Sequence, residues 1–81
     1  MIPTNINFRQ DYPGVTIKEN FGIQDEFTLR LEVFVPKWAT VEDPKRMAAE
    51  AAYYLHYFSG MIVGTEQKEN GTLYLVDAWK D

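Results

Sequence analysis

The 81-residue chain has no cysteine, one histidine and one serine. The lack of cysteine excludes disulfides, thiolate metal sites and cysteine nucleophiles together. A zinc centre would need several carboxylates to converge on His56, the only imidazole, and no spacing in the chain arranges that. Basic residues are scarce too: eight Lys and Arg against twelve Asp and Glu leave a net charge of −4. That balance argues against a nucleic-acid backbone as partner, since phosphate binding needs clustered cations. The acids are spread evenly rather than set in rows, so a mimic of DNA is not indicated either. No apolar run reaches about 18 residues, the length at which a helix would be expected to cross a membrane. The opening "MIPTNINFRQ" lacks the basic and apolar regions of a secretory signal. The expected location is therefore the cytoplasm, and the host cytoplasm if the chain is phage-encoded.

Aromatic residues are plentiful, at 15% of the chain. No repeat, linker or low-complexity tract divides the sequence, which reads as a single domain over 1–81. A chain this short buries only about 60–65% of its unfolded surface, so the core is small.

Period-two patterning predicts most of the architecture. "TNINFR" alternates Ile6 and Phe8 with Asn5, Asn7 and Arg9, a strand pattern. "DYPG" follows with Pro13 and Gly14 in the positions of a type II turn. "VTIKENF" alternates again through Val15, Ile17 and Phe21. In "EFTLRLEVFV", Phe27, Leu29, Leu31, Val33 and Val35 share one face, with Glu26, Thr28, Arg30 and Glu32 on the other. Asp43-Pro44 then marks a helix start: the carboxylate accepts a free N–H, and proline suits the first helical position. Ser59-Gly60 marks the stop, with glycine in the left-handed position. The last segment, "MIVGTEQKENGTLYLVDAW", predicts two strands joined at Asn70-Gly71 by a turn requiring positive φ at both residues. In that register Leu73, Leu75 and Trp79 share a face with Ile62, Glu66 and Lys68. The expected class is α+β: a small antiparallel sheet with one helix packed on a face, in the order β-β-β-α-β-β.

The stretch "AAEAAYYLHYFSG", residues 48 to 60, contains the candidate chemistry. Read as helix to Ser59, it places Met47, Ala48, Ala51, Tyr54, Leu55 and Phe58 on a core stripe. Tyr53, His56 and Tyr57, spaced i, i+3 and i+4, form a patch on the outer side. That patch either packs beneath the "NFRQDYPG" arm or contacts a partner, for which tyrosine is well suited. His56 and Ser59 lack an evident orienting acid and a strained elbow, so they do not make a catalytic triad. Lys45 and Arg46 stand where the helix dipole disfavours cations, with acids near enough to neutralise them. Trp38 either closes the core beneath the helix entry or anchors an interface. "ENGT" matches a glycosylation acceptor but reads as a turn.

The hairpin has apolar residues on both faces, and a sheet wet on one side should alternate more cleanly. Leu75 and Trp79 therefore join Tyr53, His56 and Tyr57 as candidate partner-binding residues. The expected function is a small, soluble, non-enzymatic protein-binding module needing no cofactor. Its type is that of a phage-encoded inhibitor or regulator of a larger host protein, acting through the aromatic helix face. The alternative is a self-associating structural subunit, such as a virion or assembly component. No membrane, nucleic acid or small-molecule substrate is expected among the partners.

Overall fold

A computed structural model gives the architecture and describes residues 8–24 and 28–80, with the backbone alone at 21–24. The elements are α1 (Phe8–Asp11), β1 (Thr16–Gln24), β2 (Thr28–Pro36), α2 (Pro44–Tyr54), β3 (Ser59–Lys68) and β4 (Gly71–Trp79). All strand pairs are antiparallel, and the sheet order is β1-β2-β4-β3. Two hairpins thus meet along β2 and β4, and α2, which connects them, lies across one face. The α+β class is as expected, but among the described residues the order begins with a short helix rather than a strand. Phe8 and Arg9 belong to α1, while residues 4–7 of the expected strand and Phe27 lie outside the described residues, as does the Phe21 side chain.

The core follows from the alternation in β2. Leu29, Leu31, Val33 and Val35 are buried, and the residues between them are half-buried. In register with them across β4 stand Ala78, Val76, Tyr74 and Thr72. Met47, Ala48, Ala51 and Ala52 of α2 close over this face and are fully buried. Small residues let the axis approach closely. A side chain at Gly60 would meet the Ala52 Cβ at 2.9 Å and the Ala48 carbonyl at 3.0 Å. Gly60 therefore serves the helix–sheet contact from within β3, not the end of the helix. Phe8 seals one end of the core, its ring centroid 4.8 Å from that of Tyr12 and 5.9 Å from that of Tyr54.

Helix α2 begins as expected: the Arg46 N–H donates to Asp43 Oδ1 at 3.2 Å, and Pro44 opens the first turn. It ends five residues early, at Tyr54. His56 takes φ 68°, the left-handed conformation expected of a glycine. The Tyr57 N–H then donates back to the Ala52 carbonyl, and the His56 N–H to that of Tyr53. These two reverse bonds satisfy the orphan carbonyls that end a helix. The chain leaves the helix before Phe58, which is consequently 42% exposed rather than part of the core stripe.

The tight turn between α1 and β1 forms where Pro13-Gly14 predicts it, with Gly14 at φ 84° and the Val15 N–H donating to the Tyr12 carbonyl. In the second hairpin the turn residues are Glu69 and Asn70, and Lys68 pairs with Gly71. Neither turn residue has positive φ. Gly71 is required for a different reason: a Cβ there would stand 2.1 Å from the Val35 carbonyl oxygen of β2. Farther along, an extra residue in β3 shifts the register between Ile62 and Gly64. A one-residue slip turns side chains to the opposite face. Ile62 accordingly pairs with Val76 on the helix side, and not with Trp79.

Candidate functional site

The sheet has a second face, and among the described residues no helix lies over it. Strand parity fixes what it carries. From β2 come Thr28, Arg30, Glu32 and Phe34, in register with Trp79, Asp77, Leu75 and Leu73 of β4. Lys18 of β1 stands beside Glu32, and Asn20 beside Arg30. On β3, Met61 pairs with Asp77, Gly64 with Leu75, and Glu66 with Leu73. Gly64 matters because it leaves room: the Leu75 side chain lies over it, 3.4 Å from where a Cβ would be.

Phe34, Leu73, Leu75 and Trp79 are half-buried by their neighbours, and Met61 is 56% exposed. Val63, the extra residue of the β3 irregularity, is exposed as well. Six of the polar residues interleaved with them are partnered within the face. Arg30 Nε donates to Asp77 Oδ1, across the two central strands. Asn20 Nδ2 donates to Glu32 Oε2 at 3.0 Å, and Lys68 Nζ to Glu66 Oε1 at 3.3 Å. Arg30 and Lys68 are thus neutralised by carboxylates of the same face, which lowers the cost of burying the apolar groups set among them.

Leu75 and Trp79, two of the candidates from the sequence, belong to this face. The other three are placed apart from it, and the early end of α2 divides them. Tyr53 is half-buried on the last helical turn, and His56 is exposed at the left-handed position. Tyr57 turns back to pack against the core, with Lys80 Nζ 5.5 Å from its ring centroid. Burial, with a smaller contribution from the Glu19 carboxylate, raises the Tyr57 pKa. No continuous helical face joins the three rings.

Phe34, Leu73, Met61 and the Arg30–Asp77 pair complete the face. A signal for Phe34 is present in the sequence: it interrupts the polar series Thr28, Arg30, Glu32 at the same parity. The Arg30–Asp77 pair requires the strand order, which no local pattern provides.

Trp38 neither closes the core nor joins this face. It is 71% exposed on the turn after β2, with its ring against Gly14. Elsewhere, a cleft of about 510 Å³ opens between α1, the start of β1 and the end of α2. Its wall includes Phe8, Tyr12, Val15, Ile17 and Leu55, with Arg9 at the side. Among the described residues no cluster of three or more His, Asp or Glu is placed to hold a metal ion, and no helix is long and apolar enough to cross a membrane.

Comparison of the chain with protein-family profiles, with curated proteins and with solved structures finds no significant match.

Proposed function

We propose that this chain is a non-enzymatic binding module that docks on a protein surface through the sheet face over which no described helix lies. The observation carrying this reading is the composition of that face: Phe34, Leu73 and Leu75 lie side by side, with Trp79, Met61 and the Arg30–Asp77 ion pair next to them. Apolar anchors interleaved with polar groups that already have partners are ordinary at a protein interface. Inhibition or regulation of a larger protein, and service as an assembly subunit, are both uses of such a face. In this reading His56 ends a helix and is not a catalytic base, and the function needs no cofactor.

The test is a capture experiment from a lysate of the source cell, with immobilised wild type, Leu75→Lys and Tyr53→Ser chains. A partner retained by wild type and Tyr53→Ser but released by Leu75→Lys supports the sheet face. A partner lost with Tyr53→Ser and kept by Leu75→Lys places the contact on the helix instead.

A further inference from the structure

The charge pattern of the open face specifies what kind of surface fits it. Six charged residues share the face by register: Lys18, Arg30 and Lys68, and Glu32, Glu66 and Asp77. Among the described residues, three of each sign balance on this face. With three charges of each sign, two pairs of them already joined as Arg30–Asp77 and Lys68–Glu66, the face does not select a polyanion, a polycation or a charged membrane. The signs are also interspersed. A copy rotated about a two-fold axis can therefore set a cation of one chain near an anion of the other, as an isologous contact requires.

Size is consistent with the same occupant. Four strands of about nine residues present a rectangle of roughly 19 by 30 Å. That is on the order of 570 Å² before side-chain relief is added, approaching the ~800 Å² per partner of a standard interface. The principal extents are 34 × 29 × 16 Å, and among the described residues only one face of the sheet carries a helix. A sheet with apolar residues on both faces reaches a stable layer architecture when the second face is covered. Two such sheets pack about 10 Å apart, with strands offset by about 30°.

We infer that the open face is covered by a second copy of this chain, the two sheets packing face to face with the helices outermost. This rests on the binding-face reading above and names its partner. Phe34, Leu73 and Leu75 of both copies form the centre, and the Arg30–Asp77 pairs are buried intact beside them.

Sedimentation equilibrium of the purified chain, run from low micromolar to about 0.5 mM, tests this directly. The expected result is a reversible dimer whose dissociation constant rises at least tenfold in Leu75→Lys and is unchanged in Tyr53→Ser. Trp79 reports independently of any face substitution. In a Trp38→Phe background it is the only remaining indole, and its emission should shift to the blue as the dimer forms. A chain that stays monomeric across the range overturns the second-copy inference, while the capture experiment still reads whether the face holds another protein. A dimer with unshifted Trp79 emission and an unchanged constant in a folded Leu75→Lys variant also overturns it, because the contact is then elsewhere.

Discussion

The Tyr57 N–H donates to the Ala52 carbonyl at 2.9 Å, and this bond is possible only because His56 between them adopts a left-handed backbone. That conformation costs an L residue with a Cβ roughly 1–2 kcal/mol, and histidine tolerates it better than a β-branched side chain would. His56→Gly removes the cost but adds freedom to the unfolded chain. The net expectation is a gain of about 0.5–1 kcal/mol, read as a higher urea midpoint with an unchanged slope. A lower midpoint would mean that the imidazole itself contributes a contact outweighing the strain.

Leu31 and Phe58 separate the observed core from the one a longer helix would have made. Leu31 is fully buried, whereas Phe58 is 42% exposed beyond the helix end. Leu31→Ala should cost about 2–5 kcal/mol and Phe58→Ala less than about 1 kcal/mol. Chemical denaturation of the two variants decides it. Equal, large losses would show that α2 continues to Ser59 in solution and buries Phe58.

Gly60 lies where β3 packs against α2, and a methyl group there has nowhere to go. Its neighbours would be the Ala52 Cβ, the Ala48 carbonyl and the Val76 side chain, all within 3.1 Å. Helix backbone cannot rotate aside as a long side chain would. Gly60→Ala should therefore destabilise by about 1–3 kcal/mol, the usual cost of overpacking. Gly64→Ala is the control: its nearest neighbour is a flexible Leu75 methyl at 3.4 Å, so a smaller loss is expected in the same melting experiment.

These cases also show what the sequence disclosed. Signals that act within one segment were legible: the alternation of Leu29 to Val35, the Asp43-Pro44 helix start, and the Pro13-Gly14 turn. Signals that depend on a distant neighbour were not. Glycine has several uses, and the sequence does not say which applies. Gly60 and Gly71 resembled a helix cap and a hairpin turn, but both are set by close approach of another element. The β3 irregularity moved Ile62 to the helix face by a single residue. As for the candidate site, the apolar content of both hairpin faces exposed Leu75 and Trp79. The inclusion of Phe34 and Arg30 awaited the pairing of β2 with β4. The tyrosine–histidine patch failed as a unit because its spacing presumed a helix that stops at Tyr54.

Tyr12 gives the fold a pH dependence at the alkaline end. Its hydroxyl donates to Glu50, whose Oε1 also accepts from Arg46 Nε at 3.1 Å, so the three side chains tie the end of α1 to α2. Burial, then the hydrogen bond to Glu50 and that carboxylate's charge, push the Tyr12 pKa from 10.0 up to about 12, against a smaller opposing effect of Arg46. The folded state thus holds the phenol proton more tightly than the unfolded chain does. The resulting stabilisation is fully present below pH 10.0 and disappears as the pH rises through about 12. Tyr12→Phe loses the hydrogen bond and is less stable at neutral pH, but it has no proton to lose. Its unfolding free energy should therefore fall less than that of wild type across this window, in denaturant titrations at successive pH values. Parallel curves for the two proteins would show that Tyr12 titrates as an ordinary exposed phenol and that its bond to Glu50 does not persist in solution.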